Sequence, residues 1–233
     1  MTTKGMLKKI HLSEDALGNI SAAVKKAESA TTGEIVLALA SESAAYSFWE
    51  LLFSVLGGAF AFFLLLPFSG VILGFLERLF WSTPAWLLPA FFGVTCFGLV
   101  ALLFSAANIP AVDRLLVPRG VRAQAVQSRA EGFFMQSGVC NTRDRSGVLI
   151  FMSYLEREVR IIADVGISAK ISNDLWGLIA EDFAAGIGRE DTEAAFIRAV
   201  ERCGELLARH FPAQKSNPDE LGNHLIILED PLW

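Results

Sequence analysis

The sequence predicts a mixed α/β domain that is interrupted by a two-helix membrane hairpin. Two observations lead to this fold class. First, residues 51–76 and 79–112 contain no charged side chain, and about 20 apolar residues are enough for one helix to cross the hydrocarbon core of a bilayer. Second, the flanking segments alternate between amphipathic helical patterns and short, continuous apolar runs of the kind found in strands covered on both faces.

The composition separates into the same two parts. The 233 residues include 19% charged and 53% hydrophobic side chains, against about 25% and 45–50% in soluble proteins. The 60-residue block 48–107 contains only three charged residues, Glu50, Glu77 and Arg78. The other 173 residues carry 42 of the 45 charges, or about 24%, which is ordinary for a soluble domain. These figures exclude a disordered chain, a collagen-like chain and a coiled coil.

Within the block, the first crossing is expected at about 48–66 and the second at about 84–107. Pro67 and Gly70 favour a break between them, because proline removes a backbone donor and glycine frees the backbone. Residues 71–81 fit either an extension of the first helix or a segment along the membrane interface. The alternative is a buried hairpin in a soluble core, but a soluble domain rarely needs two uncharged stretches of this length.

Basic residues predict the orientation of the hairpin. Lysine and arginine are abundant on both flanks, at Lys4, Lys8, Lys9, Lys25, Lys26, Arg114, Arg119, Arg122 and Arg129, whereas the connecting loop has only Arg78. The positive-inside rule therefore places both flanks and both termini in the cytoplasm. The first 46 residues lack the pattern of a secretory signal peptide. The three widely spaced cysteines, Cys96, Cys140 and Cys203, are interpreted as reduced thiols.

The flanking segments predict the elements of the α/β domain. Ser13 is the expected N-cap of a helix over 13–30, and the apolar run 34–40 is a buried strand. After the hairpin, the pattern predicts a helix over 120–137, strands over 147–153 and 158–164, and helices that begin near Ser172 and Thr192. Residues 225–228 fit a short edge strand or a docking segment.

The order of several short motifs resembles the TPM domain family. These motifs are Thr32–Val36, Thr142–Ser153, Leu155–Val159, Ala163–Ile167 and the pair Trp176 and Ile179. The resemblance covers about 1–47 and 115–212. It implies a small three-layer α/β sandwich with a mixed sheet, here interrupted by the two-helix transmembrane hairpin.

The resemblance also carries functional expectations. Known members of the family include thylakoid-lumen proteins linked to photosystem II repair and bacterial membrane-anchored proteins. Weak acid phosphatase activity and divalent-cation binding are attributed to some of them. This chain departs from the best-known members because a hairpin follows its first strand and because its domain is expected in the cytoplasm.

The resulting organisation has four parts. Residues 1–47 and 108–212 form the two parts of the TPM-like domain, 48–107 form the hairpin, and 213–233 form a polar tail with a short strand. The expected location is the bacterial inner membrane.

Motifs that specify a reaction are absent from the sequence. It contains no phosphate loop, nucleotide-binding fingerprint, nucleophile elbow or paired-cysteine metal motif. The three histidines, His11, His210 and His224, lack metal-ligand spacing. Cys203 lies on a predicted core stripe and is interpreted as a packing residue. No catalytic residue is therefore assigned.

Acidic and hydroxyl side chains are the best candidates for a ligand site, namely Asp164, Asp174, Asp182, Ser41 and Glu42. Asp164 lies at a strand end and is the candidate ligand for Ca²⁺ or Mg²⁺, which prefer oxygen ligands. Asp174 equally fits helix-end electrostatics, and Asp182 fits a solvated helix face together with Glu181. Asp144 lies between two arginines and is explained by an exposed charge cluster. Ser41 and Glu42 follow the first strand, where open α/β sheets often bind ligands, but they fit a linker equally well.

Two functions are compatible with this sequence. The first is a binding or membrane-complex maintenance module on the cytoplasmic face, anchored in the lipid bilayer with a membrane protein as partner. The alternative, a divalent-cation-dependent phosphohydrolase, is implied by the family resemblance together with the carboxylates. A nucleic-acid partner is not expected, because the sequence pI is about 5.3.

Overall fold

The structure is a computed structural model, and it describes residues 3–107, 110–142, 145–189, 191–213 and 221–228. The chain divides into two compact units. Met1–Ala45 and Arg119–Trp233 together form one, called the α/β unit below. Tyr46–Pro118 form the other, called the helical unit.

The α/β unit contains four strands and six α-helices within its described residues. The strands are β1 (Glu34–Ala40), β2 (Gly147–Ser153), β3 (Glu158–Ala163) and β4 (Leu225–Leu228). Its helices are α1 (Thr3–Lys9), α2 (Glu14–Glu28), α7 (Arg119–Gln136), α8 (Val165–Ser168), α9 (Asn173–Gly188) and α10 (Thr192–His210). A 3₁₀ turn, Val139–Asn141, precedes β2.

The four strands form one mixed sheet in the order β3-β2-β1-β4. β1 is parallel to both β2 and β4, while β2 and β3 are antiparallel neighbours. Glu34 is opposite Gly147 and Ala40 is opposite Ser153 in the β1–β2 pair. The predicted mixed sheet is confirmed, and residues 225–228 are its fourth strand, beside β1.

Helices cover both faces of this sheet, so the unit has three layers. Alternate residues of β1 point to opposite faces. Ile35, Leu37 and Leu39 join a core with α2, α9 and α10, whereas Val36, Ala38 and Ala40 pack with α7. Burial on both faces explains why the β1 and β2 sequences are continuously apolar.

Helix caps follow the predicted positions. The Ser13 side chain accepts a hydrogen bond from the Ala16 amide at 3.1 Å, and Ser172 accepts one from the Asp174 amide at 3.3 Å. The buried stripe of α9 consists of Trp176, Ile179, Phe183 and Gly186. Leu175, one residue before this stripe begins, is 40% exposed.

The helical unit consists of α3 (Ser47–Leu65), α4 (Ser69–Leu79), α5 (Leu87–Ala107) and α6 (Pro110–Leu116). A 3₁₀ turn, Leu66–Phe68, joins α3 to α4 and contains Pro67. The expected break is therefore a single 3₁₀ turn between two α-helices. It occurs where Pro67 lacks the amide donor of an α-helical hydrogen bond. The segment after it, which the sequence left open, is helical.

Two segments of this unit, Ser47–Leu79 and Leu87–Ala107, are long and apolar enough to cross a bilayer. Only 6% of the most apolar window in each is buried, so neither resembles the core helix of a soluble protein. Glycines allow α3 and α5 to approach closely. A Cβ added at Gly58 would lie 2.4 Å from Val100 Cγ2, and one added at Gly57 would lie 2.7 Å from Leu103 Cδ1.

Candidate functional site

Polar residues of the α/β unit gather at the two ends of the sheet. The start of the parallel strands β1 and β2 is called the amino end here, and their finish the carboxyl end. Ser41 and Glu42 follow β1 at the carboxyl end. Asp164 lies at the amino end because β3 runs antiparallel to β2, and its amide donates to the Gly147 carbonyl at 2.9 Å. The structure therefore separates these candidates by the length of the sheet.

Asp164 is a buried carboxylate, 3% exposed. It is the N-cap of α8: its Oδ1 accepts from the Val165 amide at 2.6 Å, and its carbonyl accepts from the Ser168 amide at 2.9 Å. The other carboxylate oxygen, Oδ2, is buried and has no hydrogen-bond partner among the described residues. A buried carboxylate oxygen without a donor is costly, so Asp164 Oδ2 is the least satisfied polar atom of this N-cap.

Glu34 lies near Asp164 and was not predicted as a site residue. Glu34 is 3% exposed and is paired with Gly147 on the neighbouring strand β2. On the opposite edge of β2, the Asp164 amide donates a hydrogen bond to the Gly147 carbonyl. Side chains alternate along a strand, so Glu34 and Asp164 lie on the face of the sheet that α7 covers. One strand separates them, which places their Cα atoms about 10 Å apart, or two inter-strand spacings. In the sequence, Glu34 stands at the start of an apolar strand and within the Thr32–Val36 motif, and neither signal marked it as a site residue.

The carboxyl end carries a different polar arrangement. The Ser43 amide donates to Glu156 Oε1 at 2.9 Å, and Ser43 Oγ donates to Ser153 Oγ at 2.8 Å. Ser153 Oγ in turn donates to Glu156 Oε2. All three residues are buried. The Ser41 carbonyl also accepts a hydrogen bond from the Leu155 amide at 2.9 Å. The segment after β1 is therefore hydrogen-bonded to the β2–β3 turn.

Asp174 and Asp182 lie on α9, apart from both polar ends. Asp174 is in the first helical turn, and its carboxylate accepts from Ser172 Oγ at 3.4 Å. Asp182 pairs with Arg202 at 3.2 Å, and both side chains are about half exposed. Asp144 lies outside the described residues. Within the described ranges, no three or more His, Cys, Asp or Glu side chains group closely enough to hold a metal ion.

Cys203 is fully buried on α10. Burial raises the pKa of its thiol from 9.0 to about 12, and the nearby Arg202 charge offsets part of this effect. A thiol that stays protonated at neutral pH is a poor nucleophile, which supports its interpretation as a packing residue.

The three-layer mixed sheet, with buried acidic residues at its amino end, defines a class of small α/β sandwich domain. The family model of the TPM domain matches residues 111–206, so the chain contains a TPM domain. Among solved structures, the BA42 protein from the psychrophilic bacterium Bizionia argentinensis is similar, with a TM-score of 0.54 and 18% identity over 93% of this chain and 94% of that one. At this identity the likeness concerns the fold alone. No curated protein matches the sequence.

Proposed function

We propose that this chain is a membrane-anchored TPM domain that binds a membrane protein partner on the cytoplasmic face of the bacterial inner membrane. The observation that supports the anchor is the apolar surface of the helical unit. Phe60, Phe63, Val94 and Phe97 are each 69–79% exposed. Monomers in water rarely expose contiguous apolar patches of more than a few hundred Å², whereas lipid tails cover such a surface without cost.

The connectivity of the chain supports a function at the membrane surface. The helical unit interrupts the α/β unit between Ala45 and Arg119. Two crossings return the chain to the side from which it left, so one folded domain is attached through both ends of the hairpin. The excess of lysine and arginine in the flanks favours the cytoplasmic side.

Insertion and orientation are tested by labelling an introduced cysteine. Glu77→Cys is made in a variant without the three native cysteines, and intact cells are treated with a membrane-impermeant maleimide. Labelling of Glu77→Cys from outside, without labelling of a matched Glu201→Cys on α10, is the expected result. The reverse pattern contradicts the orientation, and release of the chain by alkaline carbonate contradicts the anchor.

The partner requirement is tested by purification in mild detergent, where a stoichiometric membrane protein should copurify repeatedly.

A second candidate function is divalent-cation binding at the amino end of the sheet, which phosphohydrolase activity would require. Its support is the buried Asp164 Oδ2 that no described residue donates to, together with the buried Glu34 on the same face. Oxygen ligands of this kind suit Ca²⁺ and Mg²⁺, and a bound metal ion can activate or orient an attacking water.

This candidate is tested with Asp164→Asn and the exposed control Asp182→Asn. Ca²⁺ or Mg²⁺ should raise the unfolding temperature of the wild type and of Asp182→Asn but not of Asp164→Asn, because a ligand that binds only the folded state stabilises it. Hydrolysis of a phosphoester panel should show the same dependence. Cation-induced stabilisation that survives in Asp164→Asn contradicts the site, and cation binding without turnover in the wild type contradicts the phosphohydrolase.

A further inference from the structure

Contacts between α3 and α5 show which part of the long apolar segment Ser47–Leu79 is paired with the second crossing helix. As residue numbers rise along α3, those of its neighbours on α5 fall, so the two helices are antiparallel. The rings of Phe62 on α3 and Phe92 on α5 meet edge to face, with centroids 5.7 Å apart. Leu87 begins α5 five positions before Phe92, and Pro67 lies five positions after Phe62. Helix α5 therefore begins at the level of Pro67.

The pair of α3 and α5 already matches the thickness of a bilayer. Helix α3 has 19 residues and α5 has 21, which correspond to about 28 Å and about 31 Å of helix. The hydrocarbon core is about 30 Å thick. Helix α4 follows the turn that contains Pro67 and adds 11 residues. It therefore begins at the far boundary of the hydrocarbon core, where the crossing pair ends.

Helix α4 differs from the crossing pair in its pattern of residues. Helices α3 and α5 are apolar around most of their circumference, whereas α4 is amphipathic. Val71, Phe75 and Leu79 follow one another at intervals of four residues and form one stripe. Each of the three is 61–73% exposed. Glu77 is exposed on the opposite side of α4, two residues after Phe75. Helices with this pattern lie along a boundary between an apolar and a polar medium.

The surroundings of α4 support the same placement. Leu76, to one side of the stripe, is 4% exposed, and α4 contacts α5. The stripe is therefore the outward side of a helix that is packed on its own unit. Trp81 follows α4 and is fully exposed, and Trp86, just before α5, is 66% exposed. Tryptophan is enriched where a membrane meets water.

We propose that α4 is an interfacial helix whose stripe of Val71, Phe75 and Leu79 is covered by lipid at the boundary between acyl chains and headgroups in the outer leaflet. Trp81 and Trp86 lie at the level of the headgroups. Lipid is the occupant because Phe68, 54% exposed in the preceding turn, continues the stripe toward the lipid-facing surface of α3. The proposal rests on the proposed insertion of the hairpin. It assigns α4 a separate role, which is to fix the depth of the crossing pair.

The first experiment measures the depth of single nitroxide labels in the full chain, placed in nanodiscs of phosphatidylcholine and phosphatidylglycerol. Val71→Cys, Phe75→Cys and Leu79→Cys carry labels along the stripe, and Glu77→Cys is the matched control on the opposite side. All are made in the variant without native cysteines. Relaxation by oxygen, which dissolves in lipid, and by a water-soluble nickel chelate reports the depth. The stripe labels should share one shallow depth, about 5–10 Å into the boundary, and the Glu77→Cys label should be accessible to nickel.

A label at Phe97→Cys on α5 separates this proposal from the anchor on which it rests. If that label lies deep in the hydrocarbon while the stripe labels are accessible to nickel, the anchor holds and the interfacial helix is refuted. A depth that changes steadily by about 12 Å from 71 to 79 has the same meaning, because α4 then stands upright. Stripe labels shielded from both reagents indicate that protein, such as a second copy, covers the stripe, which refutes lipid as the occupant. Nickel access at Phe97→Cys contradicts the anchor and this proposal together.

The second experiment uses a charge to displace α4. Phe75→Glu places a carboxylate in the stripe, and Gly70→Glu places the same group on the opposite side, where nothing lies within 4 Å of an added Cβ. Phe75→Glu should raise the nickel accessibility of a label at Leu79→Cys several-fold, whereas Gly70→Glu should leave it unchanged. The Phe97→Cys label should remain in the hydrocarbon in both variants, which shows that the hairpin is still inserted. Equal accessibility at Leu79→Cys in the two variants would overturn the proposal.

Discussion

Ser43 and Glu156 are joined across the carboxyl end of the sheet, although 113 residues separate them in the sequence. The Ser43 amide donates to Glu156 Oε1, and Ser153 Oγ donates to Glu156 Oε2. Ser43 also stands three residues before the helical unit begins at Tyr46. The Glu156 carboxylate therefore fixes the segment through which the α/β unit continues into the hairpin.

Glu156→Ala should lower the free energy of unfolding by about 2–4 kcal/mol, because it leaves two buried donors without their acceptor. Glu156→Gln keeps one acceptor oxygen and should cost about 1 kcal/mol. The measurement is denaturant-induced unfolding in micelles. Glu201→Gln is the exposed control and should change stability by less than about 0.5 kcal/mol. Equal stabilities of Glu156→Ala and this control would refute the role of the carboxylate.

Gly147 should not tolerate a side chain. A Cβ at this position would lie 2.2 Å from the Val139 carbonyl oxygen and 2.7 Å from Val139 Cγ1. Since the nearest atom belongs to the backbone, Gly147→Ala should cost about 3 kcal/mol. Gly132→Ala on α7 is the matched control, because nothing lies within 4 Å of its added Cβ. That control should gain about 0.5–1 kcal/mol from helix propensity, and thermal unfolding of both variants provides the comparison.

The Cys203 thiol should couple stability to alkaline pH. Its pKa is about 12 in the folded chain against 9.0 for the ordinary thiol. The folded state keeps the proton longer, so the contribution is complete below pH 9 and is lost as pH rises toward 12. The expected slope in this window is about 1.4 kcal/mol per pH unit. Unfolding measured across it should show this fall in the wild type, whereas Cys203→Ala should lack it; parallel profiles would contradict the assignment.

Close packing of α3 on α5 should depend on Gly58. Its added Cβ would lie 2.4 Å from Val100 Cγ2 and 3.6 Å from the Cys96 carbonyl oxygen. Small residues of this kind allow two apolar helices to approach closely. Gly58→Leu should therefore destabilise the hairpin by about 2 kcal/mol, measured by SDS titration of mixed micelles. Gly98→Leu on α5 meets no atom within 4 Å and should have little effect; a similar loss in both variants would argue against close packing at Gly58.

Local sequence patterns were sufficient for most elements of the α/β unit. The bounds of β1, β2 and α10 agree with the predicted 34–40, 147–153 and 192–210. These segments carry strong apolar periodicity or clear stop signals, which act over a few residues. The short helices α1 and α6 were not predicted, because one or two turns carry too little periodicity to be recognised.

The candidate sites were only partly predictable. Asp164 was selected for its position at a strand end, and its burial is a result of the fold. Glu34 and Glu156 were missed because a single charge beside an apolar run resembles a solvated strand end.

The sequence by itself determined the division between an apolar block and an ordinary α/β chain, the strands that are buried on both faces, and the order of motifs that identifies a TPM domain. The first two properties depend on composition and on short-range periodicity, and the third is a resemblance carried by the order of short motifs. The tertiary structure decided that β4 lies beside β1, that Asp164 and Ser41 lie at opposite ends of the sheet, and that Glu156 meets Ser43. Strand order and register result from packing between distant segments, and that packing determines which polar groups are buried together.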